Sequence, residues 1–386
     1  MKRIWRVALR ECGILAKNPI YPFCMILFPI LVTFFFTSML YEGSPDGLPC
    51  GIVDHDNTTT TRSLAHRLDA FQGVNITAHY PTVDEARRAI QRGEIYGFLY
   101  FPKNTTSDIL AKRQPTVSFY YSNISALAGG MVFRDMKTIT TLGEAAVGSA
   151  KLSALGKSAA EIQAFLQPIA IDLHMTGNPW ANYNAYLSTF IVPGILMLFM
   201  FLITAYSLGT ELKFQRSKDW MQQSGGNIYI AIIGKMTPHF FISFAIMMCF
   251  YWYTLGYLHF PHACSTWRIL MLAFLTVVVS ESFGIFMFAL LPSLRMSMSV
   301  CSLWAVLGFS IGGATYPVFA MHPIIESLSW LFPLRHYYMI YQSAIFNGYP
   351  LSYVWIHITI FIFIALLPWL MLPRIRKAMM EYVYIP

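Results

Sequence analysis

Long stretches of the chain carry no charged residue, and they provide the first prediction. About 20 apolar helical residues are enough to cross the ~30 Å hydrocarbon layer of a bilayer. Five intervals of sufficient length lack Asp, Glu, Lys and Arg, namely those between Lys17 and Glu42, Asp172 and Glu211, Lys235 and Arg268, Arg295 and Glu326, and Arg335 and Arg374. One more apolar run, from Arg268 to Leu291, is interrupted only by Glu281. The pattern predicts six transmembrane helices, at about residues 20–41, 184–208, 236–258, 268–291, 297–314 and 352–373.

Composition supports a membrane protein. Of the 386 residues, 56% are hydrophobic and only 12% are charged, whereas soluble domains carry roughly 25% charged residues. Aromatic residues make up 16% of the chain, which suits a protein with long membrane–water boundaries. The chain therefore has too few charges to cover a water-facing surface of its own size.

The distribution of Lys and Arg predicts the orientation, because cytoplasmic segments retain an excess of both. Residues 1–19, 209–235, 292–296 and 374–386 together hold thirteen basic and four acidic residues. Residues 42–183 hold twelve basic and thirteen acidic residues. We therefore predict that both termini are cytoplasmic. The formal net charge of +8 then reflects membrane topology and not nucleic-acid binding.

Residues 1–19 are predicted to form an amphipathic helix that lies in the membrane interface. Its apolar positions recur at helical spacing, while basic residues occupy the other face. The apolar face comprises Ile4, Trp5, Ala8, Leu9 and Cys12, and the basic face comprises Lys2, Arg3, Arg6 and Arg10. The alternative is a frayed basic tail.

Residues 42–183 are predicted to form an extracytoplasmic α/β domain inserted after the first transmembrane helix. Short apolar runs at Gly51–Asp56, Gly97–Phe101 and Thr116–Tyr121 have strand character, and Ala126–Leu166 has the composition of a helical stalk. Cys50 and Cys264 are both predicted outside, where a disulfide could join them; the alternative is two unrelated small residues.

The segment 209–235 is the first candidate functional region. A short charged helix at about 213–223, ended by Gly225 and Gly226, is predicted to lie across the cytoplasmic face and to transmit force to a soluble partner. The alternative is an ordinary polar loop. The residues predicted to couple to that partner are Glu211, Lys213, Arg216, Lys218, Asp219, Trp220 and Met221.

The segment 315–345 is the second candidate region. It is too apolar for a free loop and too rich in Pro and Gly for a crossing. Irregular backbone at membrane depth is tolerated only when protein surrounds it or when it lines a cavity, so a re-entrant hairpin in the outer leaflet is predicted. The residues that mark it are Gly313, Pro317, Pro323, Pro333 and Arg335.

Glu281 is the single acidic residue well inside a predicted crossing. A carboxylate at that depth is costly, so it should face a cavity or a partner, or be protonated. It is therefore a candidate for the substrate path or for a proton-linked role. The alternative is a helix-packing hydrogen bond with Ser280 or Ser282.

The order of segments resembles the ABC-2 type permease family. The shared features are a flat N-terminal helix, one crossing, an outer domain and five further crossings. Two motif regions resemble those of the family: Glu211 and Asp219 with Gly234-Lys235-Met-Thr-Pro238, and the outer pattern that runs from Gly313 to Pro317 and on to Pro323 and Pro333.

This resemblance implies the permease subunit of an ATP-binding-cassette exporter in a bacterial inner membrane. The chain contains no Gly-x-x-x-x-Gly-Lys-Ser/Thr phosphate loop, so no cofactor is expected on it, and ATP and Mg²⁺ are expected on a separate ATPase subunit. The other implied partners are membrane lipids, a second identical or related permease and, through the outer domain, a periplasmic adaptor.

The substrate class stays open at this point. The leading interpretation is outward movement of a hydrophobic or amphipathic compound. One alternative is export of a lipid, polysaccharide or peptide. Another is a membrane-anchored receptor or scaffold that uses the outer domain for binding. No residue pattern indicates an enzyme active site or a metal site.

Overall fold

The computed structural model describes residues 1–111, 113–169, 172, 174, 178 and 182–381. In chain order the helices are α1 (Lys2–Lys17), α2 (Ile20–Met39), α3 (Thr59–Asp69), α4 (Val83–Gln91), α5 (Thr105–Leu110), α6 (Ala126–Ala154), α7 (Ala159–Leu166), α8 (Tyr183–Lys213), α9 (Ser217–Gln223), α10 (Ile228–Tyr257), α11 (Thr266–Leu290), α12 (Leu294–Ile311), α13 (Pro323–Ser329), α14 (Pro333–Ile340) and α15 (Leu351–Glu381). The strands are β1 (Leu48–Asp54), β2 (Val74–His79), β3 (Gly97–Phe101) and β4 (Ser118–Tyr121).

These elements form two compact units. The membrane unit consists of Met1–Gly43 together with Met175–Pro386, and the second unit consists of Ser44–His174. Within the described part of the chain, six helices are long and apolar enough to cross a bilayer: α2, α8, α10, α11, α12 and α15. The prediction of a polytopic helical membrane protein is confirmed, with six candidate membrane-spanning helices.

Three of the crossings extend further than the charge pattern predicted, since α15 continues past residue 373 to Glu381. Helix α8 continues to Lys213 and helix α10 begins at Ile228, so much of the predicted 209–235 loop is helical. The predicted helix ends were placed beside Glu211 and Lys235, where charge first appears. Both side chains are buried, and a paired buried charge does not end a helix.

Helices α8 and α11 form the centre of the membrane unit. Of their apolar windows, 67% and 61% are buried, against 33% for α12 and 22% for α15. The rings of Phe201 and Phe283 lie 4.8 Å apart at the contact between the two central helices. The less enclosed helices leave apolar faces that lipid or another protein can cover.

Helix α1 presents two different faces. Trp5 and Leu9 are 65% and 55% exposed, which leaves the predicted apolar stripe available to a membrane interface. Val7, Glu11 and Leu15 recur at intervals of four residues and are buried in the membrane unit. The sequence pattern identified only the first face, because Glu11 looked like one more surface charge.

A glycine allows α1 to approach α10 closely. A Cβ atom at Gly234 would lie 2.8 Å from the carbonyl oxygen of Ile4 and 2.8 Å from Cβ of Val7. Real Cβ atoms do not approach that closely, so a larger residue at this position would push the two helices apart. Because position 234 is a glycine, α1 lies close enough to α10 for the next residue, Lys235, to contact Glu11 of α1.

The second unit contains a four-stranded sheet in the order β2-β1-β3-β4. Strand β1 is parallel to β2 and β3, and β4 is antiparallel to β3. Apolar side chains of β1 and β3, including Ile52 and Leu99, pack against Val132 and Met136 of α6. Sequence analysis missed β2, an edge strand whose alternation of apolar and polar residues covers only six positions.

All six cysteines are free thiols. Cys50 is buried within β1, and burial raises the pKa of its thiol to about 12. Cys264 is half-buried in the membrane unit. The burial of Cys50 favours the alternative of two unrelated small residues, and the disulfide considered for this pair stays a prediction.

The close approach at Gly234 generates the first prediction. Replacing Gly234→Ala should lower the unfolding temperature of the purified full-length protein, because the new Cβ displaces α1 from α10, at a cost of roughly 1–3 kcal/mol. Gly13→Ala is the matched control, since nothing lies within 4 Å of a Cβ at that position of α1. Alanine is the better helix former, so the control should keep or gain stability. Equal shifts for the two variants would contradict the close contact.

Candidate functional site

Four charged side chains form a buried cluster where α1, α8 and α10 meet. We call Arg10, Glu11, Glu211 and Lys235 the ion network. Lys235 Nζ lies 2.6 Å from Oε2 of Glu11 and 2.9 Å from Oε1 of Glu211. Its side chain and both carboxylates are at most 1% exposed. The lysine therefore bridges two carboxylates that are far apart in the sequence.

Arg10 completes the network from the side of α1. Its Nη1 and Nη2 atoms each donate a hydrogen bond of 2.8 Å to Glu211. This two-point geometry is the strongest form of pairing between Arg and a carboxylate. Two cations thus neutralise two carboxylates, and the cluster as a whole carries no net charge.

Glu11 accepts two further hydrogen bonds at Oε1. Ser207 Oγ donates at 2.8 Å, and His239 Nε2 lies at 3.0 Å. A carboxylate can only accept, so Nε2 of His239 carries the hydrogen. Both oxygens of a fully buried carboxylate are therefore satisfied, which the low-dielectric surroundings require.

The environment of Glu11 settles its charge. Burial alone would raise the pKa of this carboxyl, but Lys235 and His239 outweigh burial and lower the pKa from 4.5 to about 2. Since the pKa in the folded protein lies below the ordinary value, ionised Glu11 stabilises the fold above about pH 4.5. That contribution is lost as the pH falls through about 2. Glu11 is thus ionised at neutral pH.

Local helical spacing explains how the network is assembled. Lys235 and His239 are four residues apart on α10, and Ser207 and Glu211 are four residues apart on α8, so each pair lies on one helix face. Sequence analysis missed Arg10, Glu11 and His239 as functional residues, although the side chain of His239 is only 1% exposed. The sequence did contain one signal for this site: Lys235 and His239 are four residues apart in the otherwise apolar helix α10.

The predicted coupling residues separate into two groups. Lys213, Lys218 and Asp219 are exposed, and Arg216 is half-buried with its guanidinium 5.2 Å from the ring of Phe214. These side chains are accessible to a soluble partner. Three others require a correction, because Glu211, Trp220 and Met221 are 0–2% exposed and cannot touch a partner directly.

One buried residue of α9, Trp220, contacts the ion network instead. The indole ring of Trp220 lies 5.5 Å from Nζ of Lys235, a cation–π contact. Helix α9 ends at Gly225 and Gly226, whose φ angles of +73° and +75° are costly for any other residue type. Helix α9 thus has a buried face, where Trp220 contacts the network, and an exposed face, where Lys218 and Asp219 lie.

Glu281 of α11 lies in the interior of the membrane unit and is 6% exposed. Its Oε1 atom is buried and has no hydrogen-bond partner among the described residues. The alternative of a packing hydrogen bond with Ser280 or Ser282 is not seen among the described residues: neither serine bonds to Oε1 of Glu281, and Ser280 Oγ donates to the carbonyl of Thr276 at 2.6 Å. Glu281 lines a small cavity instead.

The segment 315–345 folds as α13 and α14 joined by a short turn. Gly313, with φ of +96°, ends α12, while Pro323 and Pro333 occupy the first positions of α13 and α14, where proline is well tolerated. Pro317 precedes a single 3₁₀ turn. Arg335 is 7% exposed, and its guanidinium lies 4.5 Å from the ring of Trp330. The marker residues therefore initiate or end these short helices, and their membrane depth stays a prediction.

The charge balance of the network generates the second prediction. Lys235→Met should destabilise the full-length protein by about 3–5 kcal/mol, because it leaves a buried carboxylate without its cation. Adding Glu11→Gln restores neutrality, so the double variant should unfold at a higher temperature than Lys235→Met alone. The measurement is thermal unfolding in detergent of both single variants and the double variant. Simple addition of the two single effects would refute coupling between these residues.

The comparisons with known proteins agree with this geometry. A family model described as the ABC-2 family transporter protein matches residues 20–372, which include the six crossings and all of the ion network except Arg10 and Glu11. None of the curated proteins compared with the chain matches it. The resemblance noted from the sequence is confirmed, and the chain belongs to the ABC-2 family of transporter proteins as a multi-pass membrane permease.

Proposed function

We propose that the chain is the membrane-spanning subunit of an ATP-driven exporter whose ATPase is a separate polypeptide. Permeases of this family normally work with a separate ATPase subunit, and the chain itself has no phosphate-binding loop. ATP and Mg²⁺ would then be bound by the partner. The cargo would be a hydrophobic or amphipathic compound that moves outward.

The two-faced helix α9 is the observation that carries the proposal. Lys218 and Asp219 are exposed on it, whereas Trp220 is fully buried against Lys235. A partner that pushes on the exposed face therefore displaces the indole ring and, through it, the cation at the centre of the ion network. No other contact is needed to pass the displacement into the membrane unit.

The ion network would distribute that displacement over three helices. Lys235 belongs to α10, Glu211 to α8 and Glu11 to α1. The Nζ atom of Lys235 lies within 2.9 Å of a carboxylate oxygen of each glutamate. Separating any of these charges in a buried site is costly. The three helices should thus move as one body when α9 is pushed, which is the rigid-element behaviour that switching transitions use.

Orientation follows from the charge distribution. The exposed face of α9 lies in the segment that shares the surplus of Lys and Arg with the two termini, and the 42–183 segment carries no such surplus. We infer that α9 and both termini are cytoplasmic, that the second unit is extracytoplasmic, and that the host membrane is a bacterial inner membrane.

A second permease copy is part of the proposal. Helices α12 and α15 leave most of their apolar windows uncovered, and these faces would contact lipid and an identical or related permease. The second unit, with its mixed sheet and long helix α6, would then offer a surface to a periplasmic adaptor. Export of a lipid, polysaccharide or peptide through that adaptor is the alternative within the same class.

The coupling proposal is tested on the exposed face of α9. Reversing both charges with Lys218→Glu and Asp219→Lys should reduce stimulation of the partner ATPase about tenfold or more, since misplaced charges at an interface cost more than the 1.4 kcal/mol that corresponds to a factor of ten. The measurement is ATP hydrolysis by the purified partner with and without the permease in lipid vesicles.

A matched control exists in the second unit. Lys157 and Glu161 form an exposed ion pair with a separation of 3.0 Å, and swapping their charges should leave ATPase stimulation unchanged. The α9 variant should unfold at the wild-type temperature, because Lys218 and Asp219 are exposed. The control variant should be slightly less stable, because Glu161 forms a capping box with Ser158 at the start of α7. Full stimulation by the α9 variant would exclude this helix as the contact with the ATPase.

Orientation is tested by labelling in intact cells. In a variant without the six native cysteines, a cysteine at position 157 should react with a membrane-impermeant maleimide, and a cysteine at position 218 should react only after the cells are lysed. The physical reason is that the two positions lie on opposite sides of the bilayer. Equal reactivity of both positions in intact cells would overturn the topology and the transport proposal with it.

A further inference from the structure

A small cavity in the membrane unit lies between α2, α8, α10 and α11. Its volume is about 20 Å³, which is enough for a single water molecule. Apolar side chains form most of its wall, and the polar groups that line it are Cys24, Thr204, His239, Ser243 and Glu281. A dry cavity would be lined by apolar groups alone, so this one is suited to a bound water.

Two buried side-chain atoms of residues that line the cavity lack a hydrogen-bond partner among the described residues. They are Oε1 of Glu281 and Nδ1 of His239, and their residues are 6% and 1% exposed. A buried polar atom without a partner costs free energy. Two such atoms on one small cavity therefore point to an occupant that bonds to both.

The roles of the two atoms are complementary. Nε2 of His239 donates to Glu11 at 3.0 Å, so Nδ1 of the neutral ring can only accept. A protonated Glu281 has an O–H group to donate. One water molecule between them would accept from the carboxylic acid and donate to Nδ1.

Charge balance sets the number of protons that the pair must hold. Arg10 and Lys235 already neutralise Glu11 and Glu211 in the ion network. Glu281 is the third buried carboxylate of the membrane unit. No cation lies within ion-pair distance of it among the described residues. A buried charge without a partner is neutralised by a proton when one is available.

We propose that Glu281 and His239 form a binding site for one proton, held through a water molecule in this cavity. The proton can reside on the carboxyl of Glu281 or on Nδ1 of His239. Both arrangements leave the pair with no net charge. The site is independent of the exporter proposal, because it follows from the interior of the membrane unit alone.

The charged groups that face the pair act on the proton in opposite directions. Glu11 of α1, 3.0 Å from His239, favours a proton on the imidazole. Lys235 of α10 lies one turn from His239 on the same helix face and opposes it. Helix α2 contributes the ring of Tyr21, 5.8 Å from the imidazole, and the thiol of Cys24. Helix α8 contributes the hydroxyl of Thr204. The residues of α2 and α8 that line the cavity include no charged side chain.

Infrared spectroscopy of the full-length protein in lipid vesicles at neutral pH tests the proposal. A protonated carboxylic acid has a carbonyl stretching band that an ionised carboxylate lacks. The wild-type protein should show this band, Glu281→Gln should lose it, and Glu144→Gln, at an exposed carboxylate of the second unit, should keep it. The measurement requires neither an ATPase nor a substrate, so its failure is distinct from a failure of the exporter proposal.

Two further variants keep the test decisive if Glu281→Gln does not fold. Glu281→Asp retains the acid at a different distance and should shift the band, and His239→Gln should also shift it, because the group that accepts from the water changes. Absence of the band from the wild-type protein would overturn the proposal, and so would an undiminished band in Glu281→Gln. A band that neither Glu281→Asp nor His239→Gln shifts would have the same consequence.

Discussion

The membrane unit depends on the pairing of Lys235 with two buried carboxylates. The ammonium group lies within 2.9 Å of both Glu11 and Glu211, in surroundings where an unpaired ion would cost several kcal/mol. This constraint holds α1 against α10, keeps α8 and α10 helical beyond the first charged residue, and provides the surface on which Trp220 rests. The glycine at position 234 is what makes the spacing possible.

In the coupling that we propose, α9 connects the ion network to the partner ATPase. A helix of seven residues is too short to be stable by itself, so its contacts with the membrane unit hold it in place. The side chains that hold it, Trp220 and Met221, are not the ones that a partner can reach. The buried face of α9 holds the helix in place, and the exposed face is available to a partner. This separation suits the proposed coupling, because the buried side chains can stay in contact with the network while the exposed charges exchange partners.

The same electrostatic reasoning distinguishes Glu281 from the other buried acids. Glu11 and Glu211 each have a cation within 3 Å, while Glu281 lines a cavity together with His239 and has no such cation among the described residues. The membrane unit thus contains one charge-balanced cluster and a further buried carboxyl, for which we propose a proton. His239 belongs to both, since its Nε2 atom binds Glu11 and its Nδ1 atom lines the cavity.

The sequence by itself determined the number of crossings and the family, because the hydrocarbon thickness requires long apolar runs and because the spacing of Gly, Lys and Pro is a local property. It also located α9, although it could not tell which face of so short a helix is buried. Only the tertiary structure decided that Glu11 meets Lys235, 224 positions away, that Trp220 is buried and that Oε1 of Glu281 has no hydrogen-bond partner in the part of the chain that the structure describes. The reason is physical: composition and periodicity report on a helix and its solvent, whereas the pairing of charges depends on which side chains distant parts of the chain bring within 3 Å of each other.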